Sequence, residues 1–161
     1  MHRTATPSDL PQIVEIYNST IPSRMVTADV EPVTVESRTR WFQEHIPEHR
    51  PLWVVDIADR VAAWLSFSSF YGRPAYAGTV ELSVYVHEAL RRRGLGLYLL
   101  QQAIGYAPII GASALLGFVF GHNTPSLGLF ARAGFSRWGE LPKVAVLDRV
   151  ERDLVILGRH V

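Results

Sequence analysis

Apolar side chains recur along the chain in two patterns. In some segments they are spaced three or four residues apart, as in a helix, and in others they form the runs or alternation typical of strands. The first helical face, with the i, i+3, i+4, i+7 spacing, consists of Leu10, Ile13, Val14 and Tyr17. Ser8 and Asp9 precede this face and can cap the helix. A second helix is predicted from Thr34, as its cap, to about Ile46, with Pro47 as its stop.

The central part of the chain has the composition of strands. Leu52–Ile57 and Val61–Phe70 are apolar runs separated by Ala58-Asp59-Arg60, which predicts a hairpin. Thr79–His87 is rich in β-branched and aromatic residues and predicts a strand, as does Leu115–Phe120.

Helices and strands alternate in the C-terminal half. One helix is predicted by a single apolar stripe, formed by Leu95, Leu99, Leu100, Ala103, Ile104 and Ala107. A short helix is predicted over Ser126–Ala133, closed by Gly134 as a left-handed cap. The tail alternates apolar and polar positions and predicts one or two antiparallel strands. The order α–α–β–β–β–α–β–α–β indicates a mixed α/β or α+β fold.

Composition limits the kind of protein. A chain of 161 residues, 48% hydrophobic and 19% charged, is expected to form a single domain over residues 1–161. Its 16 basic and 15 acidic side chains leave a net charge of +1, so neither a nucleic-acid nor a membrane partner is expected. The chain has no cysteine and no apolar N-terminal signal segment, and we expect a cytoplasmic protein.

The turn after the strand Thr79–His87 has the features of an anion site. It reads Arg91-Arg92-Arg93-Gly94-Leu95-Gly96 and leads into a predicted helix. The glycines allow close approach to the backbone, and the free N–H groups of a helix N-terminus attract a pyrophosphate. A solvated arginine-rich turn is the alternative that the loop alone leaves open. The nucleotide-binding patterns GxxxxGK[ST] and GxGxxG are absent.

This turn resembles the [Q/R]-x-x-G-x-[G/A] signature of the GNAT acetyltransferases. Asn123–Ser126, followed by Gly134-Phe135, is similar to a second motif of that family. The similarity is closer to the phosphinothricin acetyltransferase-like branch and covers nearly the whole chain. The segments that carry it are Ile16–Asn18, Arg73–Tyr76, Thr79–Val86 and Leu141–Val144.

The resemblance implies a GNAT fold, in which a central, twisted, mostly antiparallel sheet has a splayed parallel strand pair and flanking helices. It also implies acetyl-CoA as co-substrate, no metal, a homodimer and a small-molecule amine as acceptor. The cofactor-binding residues that it implies are Val84, Tyr85 and Val86 for pantetheine; Arg91, Arg92, Arg93, Gly94, Leu95, Gly96 and Leu97 for pyrophosphate; Asn123 for the pantetheine or acetyl end; Arg132 for the nucleotide end; and Ser126 as a further cofactor contact.

Glu81 is the predicted general base. It shares one strand face with Ser83 and Tyr85, and a carboxylate within so apolar a run needs a function or a partner. The alternative is a structural glutamate paired with Arg73; the resemblance favours catalysis. Backbone N–H groups near Val84 are expected to stabilise negative charge on the acetyl oxygen.

The expected substrate is the α-amine of a small amino acid or of an analogue such as phosphinothricin or methionine sulfone. Arg73 is the predicted carboxylate ligand, and Tyr76, Asn18 and Thr27 are further predicted substrate-binding residues. Phe130 stands where the family often has Tyr or His, so no general acid is assigned. Acetylation of another small amine or of a protein N-terminus, and a silent acyl-CoA-binding module, stay open as alternatives.

Overall fold

Seven strands form one sheet in the computed structural model, which describes residues 1–161. The strands are β1 (His2–Thr4), β2 (Leu52–Ile57), β3 (Arg60–Ser69), β4 (Thr79–Val86), β5 (Ala114–Phe120), β6 (Ser136–Leu147) and β7 (Val150–His160). Their spatial order is β1-β2-β3-β4-β5-β7-β6, and only β4 and β5 run parallel. This confirms the predicted mixed fold with a mostly antiparallel sheet.

Four helices cover the two faces of the sheet. They are α1 (Leu10–Thr20), α2 (Val35–Gln43), α3 (Leu95–Tyr106) and α4 (Thr124–Arg132). Alternate residues of β3 point to opposite faces, so Leu65 and Phe67 join the larger core under α3 and α4, while Trp64 joins the smaller core under α1. The longest helix, α3, has 12 residues, too few for a helix that crosses a membrane.

The helix and strand boundaries correct several sequence expectations. The sequence did not predict β1, a three-residue strand whose partners lie in β2. The helix α2 ends at Gln43 and not near Ile46, so Pro47 is not its stop. The helix α4 begins at Thr124, because Asn123 caps it by accepting a hydrogen bond from the backbone of Ser126. The tail forms two long antiparallel strands.

The strands β4 and β5 diverge after a short paired segment. Their register contains only the pairs Thr79–Ala114, Val80–Leu115 and Glu81–Leu116. Beyond Glu81, β4 continues to pair with β3, and β5 continues to pair with β7. The divergence opens a cleft between β4 and β5, and the splayed parallel pair expected from the resemblance is therefore confirmed.

Candidate active site

Two cavities lie on either side of the point where β4 leaves β5. The first has a volume of about 230 Å³ and lies between β3, β4 and the helices α1 and α2. The second, of about 40 Å³, lies in the cleft between β4, β5 and α4. Ser83 and Tyr85 line both, so β4 forms the wall that the two cavities share.

Glu81 lies on the wall of the first cavity. Ser68 of β3 is its neighbour across the antiparallel pair. Glu81 is half-buried and has neither an ion pair nor a side-chain hydrogen bond, so the alternative pairing with Arg73 is not formed. Burial raises the pKa of its carboxyl group above the ordinary value. The structure thus combines a carboxylate without a cation partner with an accessible cavity.

Aromatic rings line the other end of the first cavity. The rings of Trp64 and Tyr85 stack with centroids 4.3 Å apart and planes 16° from parallel. Trp41 meets Trp64 edge-on at 5.7 Å, and Tyr17 packs against Tyr85 at 5.4 Å. Burial raises the pKa of the Tyr85 hydroxyl group and keeps it neutral. This end of the cavity suits an apolar part of a ligand.

Arg38 also lines the first cavity, and the sequence analysis did not identify it. Its Nη2 donates to Oδ2 of Asp29 over 2.9 Å, and its guanidinium carbon lies 4.8 Å from the ring centre of Tyr17. Helical spacing could have identified Arg38. It lies three residues from both Val35 and Trp41, so it shares the apolar face of α2 that turns toward the protein.

The backbone of β4 beyond Glu81 presents polar groups to the cleft. Phe70 donates its N–H to Thr79 O over 3.4 Å, and His87 donates to Ala62 O over 2.9 Å. Hydrogen-bonded pairs alternate in an antiparallel ladder, so Val84 and Val86 direct their N–H and C=O groups away from β3 and toward the cleft. The main-chain groups of Tyr85 are instead directed to β3.

The second cavity contains two more predicted residues. Asn123 is 5% exposed and lines this cavity together with Ser126. Phe130 is buried and closes the cavity from α4. A Cβ atom at Gly117 would lie only 2.4 Å from Cε1 of Phe130, so the ring packs directly on the backbone of β5. No hydroxyl or imidazole is present at this position to protonate a thiolate.

The arginine-rich turn has the geometry of an anion site. Arg91, Arg92 and Arg93 are exposed, and Gly94 has a φ of +82° with open space where a Cβ would be. The first N–H groups of α3, from Leu95 to Leu97, have no carbonyl within their own helix to bond. These groups fit a pyrophosphate. The site is local, since the chain as a whole is nearly neutral.

Gly96 and Arg132 occupy the flanks of this turn. Gly96 is buried, and a Cβ there would lie 3.0 Å from Cδ2 of Leu129, so this glycine also permits the contact between α3 and α4. Arg132 is exposed in the last turn of α4. Both residues stay predicted contacts of the cofactor.

None of the four predicted substrate-binding residues lines the first cavity. Asn18 exchanges two hydrogen bonds of 2.9 Å with the backbone of Val33, and Thr27 bonds the hydroxyl group of Tyr17. Both residues thereby hold the loop between α1 and α2. Arg73 and Tyr76 lie exposed in the loop between β3 and β4. Their roles stay predictions.

The splayed strand pair and the turn before α3 define the class of protein. A sequence profile described as the Acetyltransferase (GNAT) family matches residues 10–135, and the chain belongs to this family. Together with its named relatives, this makes the protein an N-acetyltransferase of the phosphinothricin acetyltransferase-like branch.

Relatives cover almost the whole chain. YwnH of Bacillus subtilis, for which phosphinothricin acetyltransferase activity has been proposed, is 55% identical over 98% of this chain and 97% of its own. The L-methionine sulfoximine/L-methionine sulfone acetyltransferase of Pseudomonas paraeruginosa is 34% identical over 88% of this chain and 83% of its own. The Salmonella typhimurium acetyltransferase solved with acetyl-CoA has a TM-score of 0.92 at 27% identity, covering 99% of this chain and 92% of its own.

Proposed function

We propose that this protein transfers the acetyl group of acetyl-CoA to the α-amine of a small amino acid or of an analogue such as methionine sulfone or phosphinothricin. The observation that carries the proposal is the position of Glu81. This unpaired carboxylate lies on the first cavity, at the last pair between β4 and β5 and one residue before Leu82, which lines the second. A base, an amine cavity and a thioester cleft are adjacent.

Glu81 would act as the general base. The α-amine of a peptide chain has a pKa of about 7.7–8.0, and that of a free amino acid is higher because the neighbouring carboxylate stabilises the ammonium form. Most of the substrate amine is therefore protonated near neutral pH and cannot attack. Glu81 takes that proton directly or through a water molecule, and its raised pKa makes it a better proton acceptor than an exposed carboxylate. The amine then attacks the thioester carbonyl directly, the C–S bond breaks and CoA leaves as a thiolate, which is a good leaving group. The second amine proton is released as the amide forms, and the thiolate takes up a proton from water because Phe130 cannot supply one. The chain has no cysteine to carry the acetyl group.

The groups that would hold acetyl-CoA are those that face the cleft and the turn. The N–H and C=O groups of Val84 and Val86 pair with the pantetheine amides, and the Val84 N–H stabilises negative charge that develops on the acetyl oxygen. Backbone N–H groups from Arg92 to Leu97 bind the pyrophosphate, with charge from the neighbouring arginines. Bound acetyl-CoA supplies the activated acyl group.

The size of the first cavity favours a small acceptor. About 230 Å³ is less than the roughly 300–1,000 Å³ typical of sites for drug-sized ligands. Two relatives carry names that specify such acceptors, namely methionine sulfoximine or sulfone and L-amino acids. We therefore favour a free amino acid over a protein N-terminus.

The test is acetyl-CoA turnover, followed as release of free thiol, against a panel of amino acids and amines. The panel includes methionine sulfone, methionine sulfoximine, phosphinothricin and an N-terminal peptide. We expect turnover with one or more amino acids and a raised KM in Arg73→Ala. Acetyl-CoA binding without turnover of any amine would instead favour the silent module. Sedimentation or light scattering tests the expected homodimer.

A further inference from the structure

We propose that Arg38 selects the side chain of the amino acid substrate by donating hydrogen bonds to an uncharged oxygen near the end of that side chain. This inference rests on the N-acetyltransferase function proposed for the same cavity. It adds a specificity-determining residue that is distinct from the base and from the cofactor-binding groups.

The guanidinium group of Arg38 has donors to spare. Its side chain is 28% exposed and lines the first cavity. Its single hydrogen bond inside the protein goes from Nη2 to Asp29, over 2.9 Å. A guanidinium group carries five N–H donors in a fixed plane, so most of those on Arg38 have no acceptor in the protein. An acceptor oxygen of a ligand would satisfy them.

Arg38 and Glu81 lie toward opposite ends of the first cavity. Arg38 stacks on Tyr17, which packs against Tyr85. Tyr85 is four residues from Glu81 on the same strand face, so the Cα atoms of the two residues lie about 14 Å apart along the strand at ~3.4 Å per residue. A substrate whose amine approaches Glu81 therefore extends its side chain toward Arg38.

The α-carboxylate of the substrate has another candidate partner. The loop that carries Arg73 leaves β3 and enters β4 beside Phe70 and Thr79, which is the end of the cavity nearest Glu81. The α-carboxylate is bonded to the same carbon as the amine, so it stays at that end. Arg38 is left to contact the distal part of the substrate.

The charges around Arg38 favour an uncharged acceptor. Asp29 already neutralises the guanidinium group through the ion pair. Glu81 adds a second carboxylate to the same cavity. A distal anion beside Arg38 would be repelled by Asp29 at close range and more weakly by Glu81 at the other end of the cavity, whereas a sulfone or amide oxygen accepts from the free N–H groups without that cost. Of the two analogues named above, methionine sulfone should therefore be preferred over phosphinothricin, whose distal phosphinate is an anion. The rings of Trp64 and Tyr85 suit the methylene groups between the amine and this oxygen.

The experiment compares substrates of matched shape. We would measure kcat/KM for L-methionine sulfone, L-norleucine and L-glutamate with the unaltered protein, Arg38→Met, Arg38→Lys and Arg40→Met. In Arg38→Met the preference for the sulfone over norleucine should fall about 10- to 100-fold, the value of one or two hydrogen bonds from a charged donor. Arg38→Lys should restore part of that preference.

Arg40 is the matched control, because it lies on the same helix with its side chain 91% exposed. Arg40→Met should leave all three rates unchanged. An equal loss for sulfone and norleucine in Arg38→Met, with a lower Tm, would mean that Arg38 only braces the loop through Asp29 and would overturn the inference. A preference of the unaltered protein for glutamate over the sulfone would also overturn it.

Calorimetric binding of the sulfone and of norleucine to the CoA-loaded protein separates the two proposals. Turnover with a sulfone preference that does not depend on Arg38 refutes this inference alone. An Arg38-dependent preference in binding, without turnover of any amine, supports the inference and refutes the catalytic function. If neither ligand is bound or turned over, both proposals fail.

Discussion

Glu81 and Leu116 form the last residue pair between β4 and β5, and the two strands separate immediately after it. The proposed base is therefore fixed by strand pairing on both sides, with Ser68 of β3 as its other neighbour. The backbone of Val84, three residues further along, is already free to face the cleft. One short strand thus positions the proposed proton acceptor and the proposed oxyanion donor on two adjoining cavities.

Replacing Glu81 with Gln should lower kcat about 10²- to 10⁴-fold, because the variant has no group to accept the proton of the amine. In the unaltered enzyme the rate should rise with pH as Glu81 ionises, at a pH above the ordinary carboxyl range because burial raises its pKa. That limb should vanish in the variant. A pH–rate series under saturating acetyl-CoA measures both effects.

The same variant should not be less stable at pH 7. A carboxyl group with a raised folded-state pKa contributes stability below its unfolded pKa, and that contribution is lost as pH rises through the folded value. Glu81→Gln removes the cost of burying the ionised group, so its free energy of unfolding should equal or exceed that of the parent at pH 7. Glu140→Gln, a surface change, is the control for both readouts. Full activity in Glu81→Gln would contradict the assignment.

Gly94→Ala tests the turn before α3. The φ of +82° costs a residue with a Cβ about 1–2 kcal/mol, although no atom lies within 4 Å to clash. We expect lower stability and weaker acetyl-CoA binding, because relaxing the strain reorients the N–H groups at the helix start. Gly105→Ala is the matched control: this position in α3 is equally open without a positive φ, and the change should stabilise by about 0.5–1 kcal/mol. Equal effects of both changes on binding would contradict the prediction.

Asn123 should have two separable roles. Its Oδ1 accepts the Ser126 N–H over 3.2 Å and caps α4, so Asn123→Ala should cost about 1 kcal/mol of unfolding free energy. Asn123→Asp keeps the cap and should keep the stability. Both variants should bind acetyl-CoA more weakly, because each removes the amide donor from the second cavity. Thermal unfolding and calorimetric titration measure the two quantities.

Thr34→Ala is the control for the cap of Asn123. Thr34 caps α2 by accepting from the Ser37 N–H over 3.1 Å, so its loss should cost similar stability without affecting acetyl-CoA affinity. Unchanged acetyl-CoA affinity in both Asn123 variants would restrict Asn123 to a structural role.

Local sequence signals were sufficient for the elements that repeat an apolar pattern, and the order of the main helices and strands was predicted on that basis. The strand β1 was missed because its three residues form a strand only through β2, some fifty positions away. The early end of α2 follows from its lack of any buried residue, so packing does not extend it to Ile46.

The candidate site was predictable only where a residue type is unusual in its surroundings. Glu81 stands out as a carboxylate in an apolar strand, and Gly94 as a glycine before a helix. Arg38 and Arg40 are the same residue type, two positions apart in similar local sequence. They nevertheless point about 200° apart around α2, and only Arg38 reaches the cavity. Which face of α2 is covered depends on α1 and the sheet, and that information is non-local.

Asp9 should govern stability in acid. Its carboxylate accepts from Arg3 over 2.8 Å and from the Thr6 N–H over 2.7 Å, which lowers its pKa from 3.8 to about 2. A lowered pKa contributes stability that is complete above the unfolded value and is lost as pH falls through the folded one. Asp9→Asn should therefore cost roughly 2 kcal/mol at pH 7, and this difference should shrink between about pH 4 and pH 2. Denaturant titrations at several pH values measure this difference in unfolding free energy.

Glu140→Gln is the control. It breaks an exposed pair with Arg137 and should change stability by less than about 1 kcal/mol. A cost of Asp9→Asn that does not depend on pH would contradict the ionic explanation.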